Sequence, residues 1–300
     1  MKHFELNEFE IYEFPPPLPT NKAIFFGHAN GIPALTYKTF LEKIAKEINC
    51  HVFTYDIRGF GRSKLPTLTP DKQHVWFWDI LSQDHAQLFL AIKAKLPQNT
   101  EWILCGHSLG AWLSILALKS IHVKKLILMD PPILPPKVII PWTFLHLIKK
   151  THLSPISRKV KKRKTTFPST EQAFSDLKKS SLMKHWPDEC VKDYIDGSFI
   201  ESQIKNNILL RHDPNWEGKI FEEYPIGAWR GFIEIPRHMR KEIEPYILVG
   251  EKSDTCNMNA ESWVRLFFPK LKWIKINNGS HMFPIELQDI TVAHLKQIII

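Results

Sequence analysis

The sequence predicts an α/β fold, a doubly wound and mostly parallel sheet with a helical cap inserted into it. Three observations lead there. Short apolar runs bounded by glycine or asparagine alternate with longer amphipathic stretches, which is the rhythm of βαβ units. The short runs are apolar at successive positions, as strands are when helices cover both faces of a parallel sheet. The rhythm then stops for about 115 residues between Met129 and Tyr246, where prolines, aromatics and helix-like stretches take over.

Taken in order, residues 1–14 alternate weakly and run into Pro15-Pro16-Pro17, which reads as an edge hairpin or strand pair closed by a stiff turn. Strands are expected at Ala23–Phe26, His51–Tyr55, Trp102–Cys105, Leu126–Met129, Tyr246–Val249 and Trp273–Ile276. The helices between them are expected at Tyr37–Ile48, Val75–Leu96, Leu109–Ser120, Ala260–Phe268 and Pro284–Ile299. Residues 1–132 and 243–300 thus form the α/β core, and residues 133–242 form the cap, with Trp142, Trp186, Trp216 and Trp229 available as apolar wall.

Composition bounds the rest. A chain of 300 residues that is 44% hydrophobic and 24% charged lies in the ordinary globular range. Four cysteines without CxxC spacing fit a reducing compartment. The acidic N-terminus lacks the basic start and apolar stretch of a secretory signal, and no apolar run is long enough to span a bilayer, so the expected location is cytoplasmic. The net charge of +9 is read mainly as a lysine-rich surface, and nucleic acid is not an expected partner. One basic cluster, Arg158, Lys159, Lys161, Lys162, Arg163 and Lys164, suggests peripheral contact with an anionic membrane. There is no HExxH or clustered metal-ligand spacing, and Gly59-Phe60-Gly61 lacks the rest of a dinucleotide fingerprint, so neither a metal nor a cofactor is expected.

The strongest chemical signal is Gly106-His107-Ser108-Leu109-Gly110, placed between the apolar strand Trp102–Cys105 and the helical run that begins at Leu109. This is the strand, sharp turn and helix that a nucleophile elbow requires. The glycines make room for a strained turn that lifts the Ser108 hydroxyl clear of the sheet at a helix N-terminus.

With the elbow in place, the chain resembles the α/β-hydrolase superfamily over most of residues 20–130 and 240–300. Gly27-His28-Ala29-Asn30-Gly31 is similar to the family's His-Gly oxyanion loop, with Ala29 where the family usually has glycine. Asp56-Ile57-Arg58-Gly59-Phe60-Gly61-Arg62-Ser63 resembles its D-x-R-G-x-G-x-S turn. The resemblance implies that the backbone amides of Leu109 and Asn30 form the oxyanion hole, while the His28 and Asn30 side chains shape the loop.

A serine hydroxyl needs a base, and histidine titrates in the right range. His281 lies in the loop between the last strand and the last helix, where the family carries its base. His107 instead fills the variable elbow position. The acid must come from the same C-terminal edge of the sheet. Asp254, after the penultimate strand, matches the family's usual acid and is favoured; Asp130, after Leu126–Met129, is the alternative and otherwise serves turn chemistry before Pro131-Pro132.

Together these imply a Ser108, His281 and Asp254 hydrolase acting through an acyl-enzyme on an ester or thioester, with an apolar substrate part suggested by the aromatic cap. Hydrolysis or lysis of a carbon–carbon bond, acyl transfer to another alcohol, and an inactive binding role remain open alternatives.

Overall fold

The computed structural model describes residues 1–65, 77–204, 206–256 and 258–300. Among the described residues eight strands form one sheet: β1 (Lys2–Leu6), β2 (Phe9–Phe14), β3 (Lys22–Gly27), β4 (His51–Tyr55), β5 (Glu101–His107), β6 (Lys125–Met129), β10 (Glu244–Gly250) and β11 (Lys272–Ile276). Their order across the sheet is β1-β2-β4-β3-β5-β6-β10-β11. From β4 to β11 every pairing is parallel, while β1 and β2 run antiparallel at one edge. All six strands expected in the core are present, each within two residues of its expected ends.

The N-terminal pair is a two-residue hairpin that turns at Asn7 and Glu8, both with positive φ, as the right-handed twist of the flanking strands demands. The three prolines follow β2 and do not close the hairpin, which corrects the expected position of the turn.

Side chains alternate across each strand, so every central strand feeds two cores. Phe25, Tyr55, Leu104, Leu128 and Val249 face one side, covered by α2 (Phe77–Lys93), α3 (Leu109–Ala117) and α10 (Glu261–Phe267). Ile24, Val52, Ile103, Ile127 and Leu248 face the other, covered by α1 (Lys38–Ile48), α11 (Phe283–Glu286) and α12 (Gln288–Ile299). The expected start of α2 at Val75 lies outside the described residues. The single helix expected over Pro284–Ile299 is broken at Leu287, whose φ of −124° and ψ of 52° interrupt the turn.

Between β6 and β10 the chain forms α4 (Pro136–Leu147), α5 (Pro155–Lys161), α6 (Thr170–Lys178), α7 (Asp188–Ser198), α8 (Pro214–Glu234) and α9 (Arg237–Glu242). It also forms a small antiparallel sheet ordered β7 (Thr166–Phe167), β9 (Ile208–Leu210) and β8 (Phe199–Glu201), which the sequence did not suggest. Trp186 and Trp216 are buried, Trp142 is partly buried, and the Trp229 side chain lies outside the described set. No described helix is long and apolar enough to cross a membrane.

Candidate active site

Ser108 sits between β5 and α3 with φ 53° and ψ −114°, a conformation that L-residues avoid unless the surroundings enforce it. The enforcement is steric. A Cβ at Gly106 would run into the backbone of Gly110, and one at Gly110 into the carbonyl of Gly27. Only glycine at both positions lets α3 approach β3 and β5 this closely, and the approach fixes Ser108 at the start of α3.

The Ser108 hydroxyl lies 3.1 Å from His281 Nε2, and His281 Nδ1 lies 2.7 Å from Asp130 Oδ2. A carboxylate only accepts, so the imidazole proton is on Nδ1 and Nε2 is free to accept from the serine. The structure therefore brings Ser108 and His281 together as expected but joins them to Asp130, not Asp254. Asp130 leaves β6 with φ 44°, which turns its carboxylate toward the loop that carries His281. It is fully buried there and also accepts from the Gly250 amide at 2.9 Å and from Ser253 Oγ at 2.5 Å.

Asp254 is exposed, and its carboxylate accepts from the neighbouring Thr255 hydroxyl at 3.1 Å. The loop after β10 thus contributes Ser253 as a donor to Asp130, while Asp254 lies exposed on the wall of the cavity beside the site without bonding to His281. Asp130 follows β6, which is paired directly with β5, and its positive φ together with the donors Gly250 and Ser253 holds its carboxylate at His281. The only signal in the sequence was the position of Asp130 directly after an apolar strand, a signal that Asp254 shares.

Leu109 and Asn30 both line the cavity beside Ser108, and neither amide donates to an acceptor among the described residues. Such unpaired donors at a helix start and a neighbouring loop suit a developing negative charge. The loop is held by its side chains. His28 donates from Nδ1 to the Ala29 carbonyl at 2.8 Å and accepts at Nε2 from the Ile57 amide at 2.9 Å. Burial lowers its pKa to about 4 and keeps the ring neutral, as that bonding pattern requires.

His107 is also buried and held well below its ordinary pKa, chiefly by desolvation. It accepts at Nδ1 from the Tyr37 hydroxyl at 2.6 Å and donates from Nε2 to the His281 carbonyl at 2.8 Å, while the Ala29 amide donates to the same tyrosine oxygen at 3.4 Å. This chain ties the loop carrying Asn30 to the loop carrying His281. Nothing in the sequence marked His107 or Tyr37 for that positioning work.

The segment between β6 and β10 reaches the same loop. Asn30 Nδ2 donates to the Glu217 carbonyl at 3.1 Å, and Gly31, at φ 73°, leaves no room for a Cβ beside the Glu217 carboxylate. Glu217 is buried in a pair with Arg163 at 2.8 Å and accepts from His212 Nε2 at 3.1 Å. Lys161 pairs with Glu222 at 2.5 Å and Lys164 with Asp176 at 2.8 Å. Of the basic cluster read as one unit in the sequence, only Arg158, Lys159 and Lys162 lack a carboxylate partner among the described residues.

Above Ser108 lies a cavity of about 890 Å³. Its wall is mostly apolar, with Trp142, Leu145, Phe167, Met183 and Ile220 among the lining residues, and Ser108, His281 and Asn30 open into it. Among the described residues no group of His, Cys, Asp or Glu is arranged to hold a metal ion, and all four cysteines are buried free thiols.

Residues 19–268 match the family model described as Hydrolase_4, serine aminopeptidase S33. No curated protein sequence matches significantly. Solved structures do match over almost the whole chain. A peroxisomal α/β-hydrolase from Saccharomyces cerevisiae is 14% identical with a TM-score of 0.72, covering 97% of this chain and 81% of that one. E-2-(acetamidomethylene)succinate hydrolase is 14% identical with a TM-score of 0.71, covering 97% and 94%. The thioesterase domain from the curacin biosynthetic pathway is 16% identical with a TM-score of 0.67, covering 99% and 97%. At these identities the likeness is one of fold.

Proposed function

Because the chain belongs to the serine aminopeptidase S33 family of α/β-hydrolases, we propose that it is a serine hydrolase cleaving a carboxylic ester or thioester with an apolar acyl or alcohol part. The observation that carries this reading is the hydrogen-bonded series Ser108, His281, Asp130 opening into a largely apolar cavity of about 890 Å³. In it, His281 Nε2 takes the Ser108 proton as the oxygen attacks the carbonyl carbon, and Asp130 holds the ring in the required tautomer and stabilises the imidazolium. The amides of Leu109 and Asn30 receive the oxyanion. His281 returns the proton to the leaving alcohol or thiol, and water repeats the sequence on the acyl-enzyme.

The substrate class follows from the wall. Ligand sites of this size are apolar with a few fixed polar groups, and residues 133–242 serve as the cap that supplies most of that wall. Burying an acyl chain gains about 0.8 kcal/mol per methylene, so longer chains are favoured until the cavity is full.

The test is a fluorophosphonate label followed by hydrolysis of p-nitrophenyl esters and acyl thioesters of increasing chain length. Ser108→Ala is expected to abolish labelling and to lower kcat by about 10⁴–10⁶, and kcat/KM of the wild type is expected to rise with chain length. Ester turnover that survives in Ser108→Ala removes the serine from the mechanism. Labelling without ester or thioester turnover moves the assignment to carbon–carbon cleavage.

A further inference from the structure

Helix α4, with the sequence Pro-Lys-Val-Ile-Ile-Pro-Trp-Thr-Phe-Leu-His-Leu, is apolar on two opposite faces. Val138, Trp142 and Leu145, spaced i, i+4 and i+7, line the cavity above Ser108. Ile140, Phe144 and Leu147, at the same spacing, point outward and are 67%, 59% and 73% exposed. A helix that is apolar all round is normally buried on every side, and contiguous exposed apolar surface marks an interaction site. Here the outer half is exposed, with no cover among the described residues. Leu153, just before α5, and Ile156, in its first turn, are exposed as well.

The charge around this face has one sign. Residues 131–170 contain nine lysines and arginines and no aspartate or glutamate. The whole of the chain's net charge of +9 therefore resides in this stretch. Three of the nine are neutralised by the ion pairs of Lys161, Arg163 and Lys164. The other six, Lys137, Lys149, Lys150, Arg158, Lys159 and Lys162, are exposed and have no carboxylate partner among the described residues. Arg158, Lys159 and Lys162 border an open cleft of about 280 Å³.

We propose that α4 and these flanking cations form a docking surface for an anionic phospholipid bilayer, with the helix lying in the plane of the interface. At twelve residues it is about 18 Å long, too short to span the hydrocarbon core. Apolar anchors ringed by lysine and arginine are what the headgroup boundary selects. A second copy of this chain fits less well, because the two positive surfaces would repel. A polyanion such as nucleic acid would engage the cations and leave Ile140, Phe144 and Leu147 exposed. Docking stands apart from catalysis. Its consequence, entry of an apolar substrate from the bilayer past Trp142 and Leu145, rests on the proposed ester-hydrolase reading.

The experiment uses full-length Ser108→Ala protein, which separates binding from turnover, with vesicles of phosphatidylcholine alone or mixed with phosphatidylglycerol. Co-sedimentation is expected with the mixed vesicles and to be at least about tenfold weaker with phosphatidylcholine alone, falling further as salt rises. Adding Phe144→Ser with Leu147→Ser is expected to reduce partitioning by about tenfold or more. Adding Lys149→Glu with Lys150→Glu is expected to reduce it similarly on anionic vesicles only. All these side chains are exposed, so circular dichroism and the thermal midpoint should stay at the parent values. Equal binding to both lipid compositions, or no binding to either, overturns the proposal. So does a dimer, seen by sedimentation velocity, that Phe144→Ser with Leu147→Ser dissolves without any vesicle binding by the parent.

Discussion

At the C-terminal edge of the sheet, Asp130 is fully buried and accepts three hydrogen bonds, whereas Phe144 and Leu147, on a helix lining the same cavity, stand in the open. The contrast runs through both regions. His28 and His107 each have both ring nitrogens bonded, and the elbow turn is fixed by backbone packed on backbone. The inserted segment holds long side chains in ion pairs, contains the acid-free basic stretch within residues 131–170 and leaves apolar surface exposed. A reacting group must be held within a fraction of an ångström, so saturated bonding and steric locks suit the sheet edge. A wall that admits varied apolar chains needs only size and greasiness. Substitutions at the sheet edge should therefore act on kcat, and those in the inserted segment on stability, KM or binding.

The sharpest break of that contrast is the pair Asp130→Asn and Asp254→Asn. The first keeps the shape but can present an amide N–H where His281 Nδ1 needs an acceptor, which favours the wrong tautomer. It is expected to lower kcat toward p-nitrophenyl esters by about 10⁴-fold, with KM little changed. Asp254→Asn removes an exposed charge bonded only to Thr255 among the described residues and should stay within about threefold of wild type. Steady-state kinetics on both variants decides the matter, and a reversal of the two effects returns the acid to the loop after β10.

That pair also marks where the sequence was readable. The elbow could be recognised because its requirement is local: two glycines, a serine, an apolar strand before and a helix after. His281 was placed by chain order. The carboxylate that meets His281 was not, because Asp130 and Asp254 both follow apolar strands, and the choice turns on the positive φ of Asp130 and on the Gly250 and Ser253 donors that hold it. Neither leaves a mark in a single sequence. The parallel core showed itself because each strand is apolar on both faces. The strands β7, β8 and β9 are two or three residues long, too short for any periodicity to register. The basic cluster was visible as composition, but its division into paired and free cations depends on Glu217, Glu222 and Asp176 meeting it in space.

The next effect tests the seam between the two regions. Glu217 is the buried partner of Arg163 and His212, and its backbone carbonyl holds Asn30. Glu217→Ala leaves the Arg163 guanidinium partly buried without its counter-charge, a change that costs about 3 kcal/mol or more. Urea denaturation should show the lower midpoint. Activity of the protein that remains folded should fall much less than in Asp130→Asn, since the Asn30 contact is made by a backbone atom that the substitution keeps. A loss of kcat comparable to that of Asp130→Asn would place Glu217 among the reacting groups and erase the contrast.

The smallest expected effect lies on the same seam and appears as a pH dependence. Glu223, on α8, accepts from the Phe77 amide at the start of α2 at 2.7 Å. Desolvation is the main cause that raises its pKa to about 8, with the charges of Asp79 and Glu222 adding to it. Between its ordinary value near 4.5 and about 8, the folded protein keeps this proton while the unfolded chain releases it. Stability is therefore greatest below that window and falls as pH rises through it. The buried histidines act in the opposite sense. His28, lowered to about 4, and His85, lowered to about 3, stay neutral when folded, so stability rises as pH climbs toward the ordinary histidine value near 6.5. Asp56, raised to about 6, resembles Glu223 over a lower window. Wild type alone would show only the sum of these opposing slopes. Glu223→Gln keeps an acceptor for Phe77 and removes one titration, so the difference between the two proteins isolates it. From pH 5 to pH 8 the variant should gain about 2–3 kcal/mol relative to wild type, read from urea midpoints at each pH. Parallel curves would mean that water reaches the Glu223 carboxylate and that the seam is open at this point.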